Sequence, residues 1–158
     1  PLVIAGPTVV RGVTTTARVG SHDLCPTICE LTGSRPIRHP DSNSFLPLLQ
    51  DPALHESRFT SGYAEYSGGR YYVTQRVAWK DEWKFVLNGF DFDELYDLES
   101  DPYEMKNLAG ERKYENKVRE MMEYVWRRVK DTGDHALLNS HYPILRVAPF
   151  GPFIIEKD

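Results

Sequence analysis

Residues 71–98 read YYVTQRVAWKDEWKFVLNGFDFDELYDL. The side-chain period in this stretch is two. Tyr71, Val73, Gln75, Val77 and Trp79 alternate with Tyr72, Thr74, Arg76 and Ala78, as in a strand whose faces meet different surroundings. Asp81-Glu82 turns the chain. Trp83, Phe85 and Leu87 then alternate with Lys84, Val86 and Asn88, and Asn88-Gly89 starts a second turn. Glu94 to Leu98 makes a short further strand. Upstream, Arg58 to Glu65 is a candidate strand, and Gly68-Gly69 provides the turn into the quoted stretch. Four sequential strands on short turns predict an antiparallel meander.

Downstream, Asp101-Pro102 ends the sheet. Between Tyr114 and Lys130, Val118, Met121, Met122, Val125 and Val129 fall on one helical stripe, while Arg119, Glu120, Glu123, Arg127 and Lys130 lie off it. A meander with one apolar face and a helix with one apolar stripe bury both by packing together. Upstream, GSHDLCPTICELTG at 20–33 predicts a helix. Ser21 or Asp23 caps it, Pro26 fits its first turn, and Gly33 stops it. Its apolar stripe is Leu24, Ile28 and Leu31. Ser44 to Gln50 reads as a short helical turn around Leu46, Leu48 and Leu49. Pro1 to Ala5 is a continuous apolar run of the kind that suits a strand buried on both faces of a parallel sheet, yet no matching strands follow it. A chain opening on Pro in such a strand is expected to be part of something longer. The residues after 133, with Pro143, Pro149 and Pro152, read as an extended strap.

The chain has 158 residues, 41% of them hydrophobic and 27% charged, with a net charge of −4. This is about one domain with enough apolar material for a core, which excludes wholesale disorder. The negative charge argues against a nucleic-acid footprint. No apolar run approaches the roughly 20 residues of a membrane span. The start PLVIAGP lacks the basic region of a signal peptide. Cys25 and Cys29, four apart on the predicted helix, are poorly placed for a disulfide and are expected to be free, mostly buried thiols.

Chemistry-bearing residues are present but form no complete constellation. His22, His39, His55, His135 and His141 match no zinc spacing. Ser21, His22 and Asp23 are adjacent, so their side chains diverge and cannot form a relay; capping is the expected role there. Asp91, Asp93, Glu94, Asp97, Glu99, Asp101 and Glu104 could supply calcium oxygens, but the spacing and glycine of an EF-hand are absent; turn and strand-edge carboxylates are expected. The strand aromatics Tyr63, Tyr66, Tyr71, Tyr72, Trp79 and Trp83 are read as core and cross-strand pairs ahead of a sugar-stacking platform.

Five segments together resemble the C-terminal part of the sulfatase family, in the alkaline-phosphatase superfamily. They are PLVIAGP at 1–7, VGSHDLCPTICELTG at 19–33, SFLPLL at 44–49, WKF at 83–85 and ELYDLESDPYEMKNLA at 94–109. The last resembles E-L-Y-D-L-x-x-D-P-x-E-x-x-N-L, the most specific of the five. The resemblance runs from Pro1 to about Gly133 and implies an α/β protein, α+β within this segment. Residues 1–50 would be the end of the large core domain, with its late strand and helix. Residues 51–133 would be a small four-stranded antiparallel sheet packed by a C-terminal helix, and 134–158 a strap.

The resemblance further implies hydrolysis of sulfate esters by a formylglycine made from the Cys or Ser of C/S-x-P-x-R, with calcium helping to bind the sulfate. Those residues would lie upstream. Cys25 and Cys29 both fail the pattern. Ser34-Arg35-Pro36-Ile37-Arg38 matches it, but sits after the helix stop at Gly33 rather than opening a core helix, and is read as a chance match. The expectation is therefore no catalytic, cofactor-binding or metal-ligating residue in this chain, with calcium belonging to the intact enzyme. Its partners would be the upstream catalytic domain, a sulfated small molecule or sugar, and another copy through the exposed first strand. Phosphonate or phosphate ester hydrolysis on the same scaffold is the alternative within the superfamily; a stand-alone carbohydrate-binding or interaction module is the alternative outside it. The compartment stays open, although a periplasmic or extracellular site would suit the intact enzyme.

Overall fold

Strand periodicity, helix stripe and caps can be followed residue by residue in a computed structural model, which describes residues 2–35, 37, 41–68, 74–89 and 91–134. Two compact units divide the chain, Pro1–Gly62 and Tyr63–Asp158.

The first unit holds α1 (Leu24–Leu31), entered through a 3-10 turn at Ser21–Asp23, then α2 (Leu46–Gln50) and α3 (Pro52–His55). Gly33 takes a left-handed φ of 65°, as the stop at the end of α1 requires. The helix α3 begins on Pro52, and the Asp51 side chain accepts from the Leu54 N–H at 3.1 Å. Phe45, Leu46 and Leu48 are buried.

Two expectations need correction here. Residues 2–5 lie in no strand, and Val3 is 90% exposed. A strand exists only with a ladder partner, and none of the described residues supplies one. The thiols are free as expected, but Cys25 is exposed and Cys29 only partly covered. The buried residue of α1 is Thr27, 2% exposed. Positions two before and two after it project to the opposite side of a helix. The apolar stripe shares that fate in part: Ile28 and Leu31 are exposed.

The second unit is built on a four-stranded sheet in the order β1-β2-β3-β4, with β1 (Ser61–Tyr66), β2 (Gln75–Lys80), β3 (Trp83–Asn88) and β4 (Glu94–Asp97). The unit boundary falls within β1. β2 and β3 pair antiparallel from Gln75↔Asn88 to Lys80↔Trp83, and β3 pairs antiparallel with β4 from Trp83↔Asp97 to Val86↔Glu94. The first strand starts three residues later than its sequence suggests, because Glu56–Arg58 forms a 3-10 turn closed by Phe59 N–H to Glu56 O. Tyr71 and Tyr72 lie outside the described residues, as do His39, His135, His141 and, apart from Asp134, the expected strap.

Helix α4 (Glu115–Thr132) covers one face of the sheet. Val118, Met121, Met122, Val125 and Val129 are all buried, as the periodicity requires, and Trp126 joins them. Ala78, Phe85, Leu87 and Leu95 meet them from the strands. Gly133, at φ 63°, ends α4 in the left-handed region; its N–H and that of Asp134 return to the Lys130 and Val129 carbonyls.

Candidate functional site

The residues that define the recognisable motifs are spent on holding loops. In the first unit, Asp23 is 8% exposed. One of its oxygens accepts from Gly20 N–H and the other from Asn43 N–H, both at 2.8 Å. Thr27 donates its hydroxyl to Asp23 O at 2.6 Å and accepts from Phe45 N–H at 3.0 Å. The Asp-Leu-x-Pro-Thr stretch therefore ties Asn43 and Phe45 to the start of α1. His22 Nε2 stands 3.5 Å from Asp23 Oδ1, and its ring lies over Gly20, where any Cβ would overlap it. The Asp23 carboxylate is already committed to two backbone donors, so the adjacent Ser21-His22-Asp23 does structural work. Ser34 lies in the turn after α1; its N–H reaches Cys29 O and its hydroxyl meets that of Thr32. Pro36 and Arg38 lie outside the described residues.

The second motif works the same way. Asp97 Oδ1 accepts from Glu99 N–H at 3.1 Å. The Asp101 carboxylate accepts from Met105 N–H at 3.0 Å and Lys106 N–H at 2.8 Å. These bonds, the Met105 one foremost, hold Asp101 below the usual carboxylate range. Asn107 Oδ1 accepts from Leu95 and Ala109 N–H while its amide donates to Asp93 O. Leu108 closes the loop by donating its N–H to Leu95 O and burying its side chain in the core. Asp93 and Glu94 both serve Asn88, itself 3% exposed. Glu104 adopts φ 55°, unusual for a side-chain-bearing residue, and pairs with Lys84. Lys84 belongs to the WKF segment, so one ion pair joins two of the five resembling segments. The Lys84 ammonium also sits 6.0 Å from the Trp79 ring and 5.8 Å from the Tyr96 ring.

These carboxylates do not fit a calcium set. Asp97, Asp101 and Asp93 face backbone donors, and no group of three metal-ligating side chains converges among the described residues. Of the strand aromatics, Tyr63 and Trp83 pack against the core and Tyr66 is exposed.

One polar centre has no counterpart in the motif reading. Arg76, on the helix-facing side of β2, is 1% exposed, and its Nε lies 2.5 Å from Asp134 Oδ2. Its Nη1 donates to Thr74 Oγ1, to Gln75 O at 2.8 Å and to Tyr66 O at 3.5 Å. Burial works against the charged guanidinium, but the Asp134 carboxylate outweighs it and raises the proton affinity of Arg76. The alternation of Thr74, Arg76 and Ala78 could have flagged a buried arginine; nothing in the sequence names Asp134 as its partner.

The family model described as N-sulphoglucosamine sulphohydrolase, C-terminal, matches residues 1–131. The choline-sulfatase of Rhizobium meliloti (strain 1021) is 32% identical over 119 residues, covering 69% of this chain and 21% of that protein. Arylsulfatase K of Xenopus laevis is 29% identical over 142 residues, covering 78% of this chain and 26% of that protein. A crystal structure from Bacteroides thetaiotaomicron VPI-5482 that carries a sulfatase assignment superimposes with a TM-score of 0.72 at 24% identity, covering 85% of this chain and 30% of that one. That likeness bears on the fold alone. The chain spans only a minor part of the length of each.

Proposed function

This chain belongs to the N-sulphoglucosamine sulphohydrolase C-terminal family, a sulfatase-family C-terminal domain, and on that premise we propose that it serves a hydrolase that cleaves sulfate esters by buttressing the catalytic part and shaping its substrate mouth. The observation that carries this reading is the use of the motif side chains. Asp23, Thr27, Asp101, Glu104 and Asn107 are engaged with backbone or with Lys84, which suits a supporting role. The catalytic residues would then lie in sequence preceding the matched family segment. Formylglycine and calcium would belong there, since the acidic residues described here do not fit a metal set. When bound, the metal would supply charge stabilisation for the sulfate.

The test is hydrolysis by the purified chain. Neither an aryl sulfate nor an aryl phosphate should be turned over above a mock preparation. A longer protein that includes preceding sequence with C/S-x-P-x-R should prefer the sulfate. Turnover by the chain alone, abolished by Ser34→Ala, would overturn the supporting role; preference of the longer protein for the phosphate would move the reading to phosphate or phosphonate esters.

A further inference from the structure

Four large apolar side chains are exposed among the described residues of the second unit: Tyr66, Phe92, Tyr103 and Met105. The last three flank β4, the final strand in the sheet order. Phe92 and Met105 are each 83% exposed and Tyr103 84%. Hydrogen bonds hold their backbones along one edge. The Asn107 amide donates to Asp93 O, next to Phe92, and its Oδ1 accepts from Leu95 N–H. Met105 stands two residues before that crosslink. Glu104, between Tyr103 and Met105, pairs with Lys84 of β3.

Folding does not require these side chains. Positions 103 and 105 are open in the pattern D-P-x-E-x-x-N-L, and Met105 serves the loop through its N–H, which donates to Asp101. The loop is pinned around them: Asp101 N–H returns to Asp97 O at 2.8 Å, Glu104 N–H to Asp101 O at 3.1 Å, and Lys106 N–H to the Asp101 carboxylate. A surface whose backbone is already ordered loses less entropy on docking. Exposed apolar residues scattered singly need no explanation, but a group of them on a fixed edge marks an interaction surface. Tyr, Phe and Met are also types enriched at such surfaces.

Charge narrows the partner. Residues 91–106 carry seven carboxylates and a single lysine, Lys106. Lys84 offsets Glu104, and hydrogen bonds to backbone N–H groups leave the other charges in place. This field repels a sulfated glycan, a nucleic acid, an anionic lipid surface and the same edge of a second copy. A basic protein face with apolar pockets suits it. The choline-sulfatase relative has room for such a face, since this chain covers only 21% of it. A face carried on the same polypeptide meets the edge at high effective concentration.

We propose that Phe92, Tyr103 and Met105 form a docking strip for a basic, apolar-pocketed face on the catalytic part of the longer protein. The proposal rests on the supporting role given above. The three side chains fill the pockets, and the carboxylates around them set the orientation.

Peroxide footprinting of the isolated chain and of the longer protein tests this. The methionine sulfur attacks a peroxide oxygen, the O–O bond breaks and water leaves, so sulfide becomes sulfoxide as peroxide is reduced. Met121 and Met122 are 0% exposed and report that the fold stays closed. Met105 should oxidise freely in the isolated chain and about tenfold more slowly in the longer protein. Tyr103→Ser should leave the melt of the isolated chain unchanged and restore most of the Met105 oxidation in the longer protein. Carbodiimide coupling should join Asp91 or Glu99 to a lysine of the catalytic part within one molecule; coupling to a second copy instead would overturn the assigned occupant. Aryl sulfate hydrolysis by the longer protein is scored separately. Hydrolysis with Met105 oxidised equally fast in both proteins would overturn the docking strip and leave the supporting role standing. Protection of Met105 without sulfate hydrolysis would uphold the strip and overturn the sulfatase reading.

Discussion

Replacing Asp134 by Ala removes the carboxylate 2.5 Å from Arg76 Nε and leaves a guanidinium that is 1% exposed. Its remaining bonds go to the Thr74 hydroxyl and to the Gln75 and Tyr66 carbonyls, all neutral acceptors. A buried charge stripped of its counter-charge typically costs about 3–5 kcal/mol. For a unit of this size, at about 5 °C per kcal/mol, that corresponds to a drop of roughly 15–25 °C in Tm. The pair itself contributes far less than this loss, because burying both ions already costs most of their attraction. Arg76→Met with Asp134→Leu should therefore lie within about 1 kcal/mol of the parent. Urea unfolding of the parent, Arg76→Met, Asp134→Leu and the double variant, followed by tryptophan fluorescence, measures the coupling, which should exceed about 2 kcal/mol. A cost below about 1 kcal/mol for Asp134→Ala would show that water reaches the pair and that the end of α4 is not clamped to β2.

Three further outcomes follow from the same geometry. Val125 is 0% exposed, so Val125→Asp should cost about 4 kcal/mol or more, whereas Glu123→Ala on the outer side of α4 should cost little; equal shifts in thermal melts would show the helical phase to be wrong. Asp101 has a lowered pKa, so its support of the following loop is present above the ordinary Asp value of 3.8 and is lost as pH falls through its lower folded-state value. The Met105 and Lys106 amide shifts should titrate with a midpoint below 3.8, absent in Asp101→Asn, and a midpoint at or above 3.8 would refute the two-bond account. Val3, 90% exposed in an unpaired apolar run, should promote self-association, and Val3→Lys or removal of residues 1–7 should shift light scattering toward monomer; an unchanged monomer would show that the run is harmless.

The second unit was legible because its elements bury what their own periodicity exposes to view. Val118, Met121, Met122, Val125 and Val129 sit at helical spacing, and Phe85 and Leu87 at strand spacing; each set lands in the core. The first unit was not legible by the same rule. The stripe of α1 predicts Leu24, Ile28 and Leu31 inward, yet the structure commits the helix through Thr27 and Asp23, whose value comes from hydrogen bonds to residues 18 and 20 positions away. Periodicity carries no information about such long-range polar bonds. The same limit hid Arg76 and Asp134, which are 58 residues apart.

That contrast also explains why the motifs identify the family so well while disclosing no chemistry. A loop held by side-chain-to-backbone bonds tolerates few substitutions, since each replacement orphans specific N–H groups. Asn107 serves Leu95, Ala109 and Asp93 at once, and Glu104 must combine a left-handed backbone with an ion pair to Lys84. Residues under such constraints form a dense signature through geometry alone. The signature therefore reports that this sheet and helix are built to a fixed plan. The chemistry it accompanies must be sought in residues whose side chains are left unspent by folding, and in the motifs of this segment Asp23, Thr27, Asp97, Asp101, Glu104 and Asn107 have been spent.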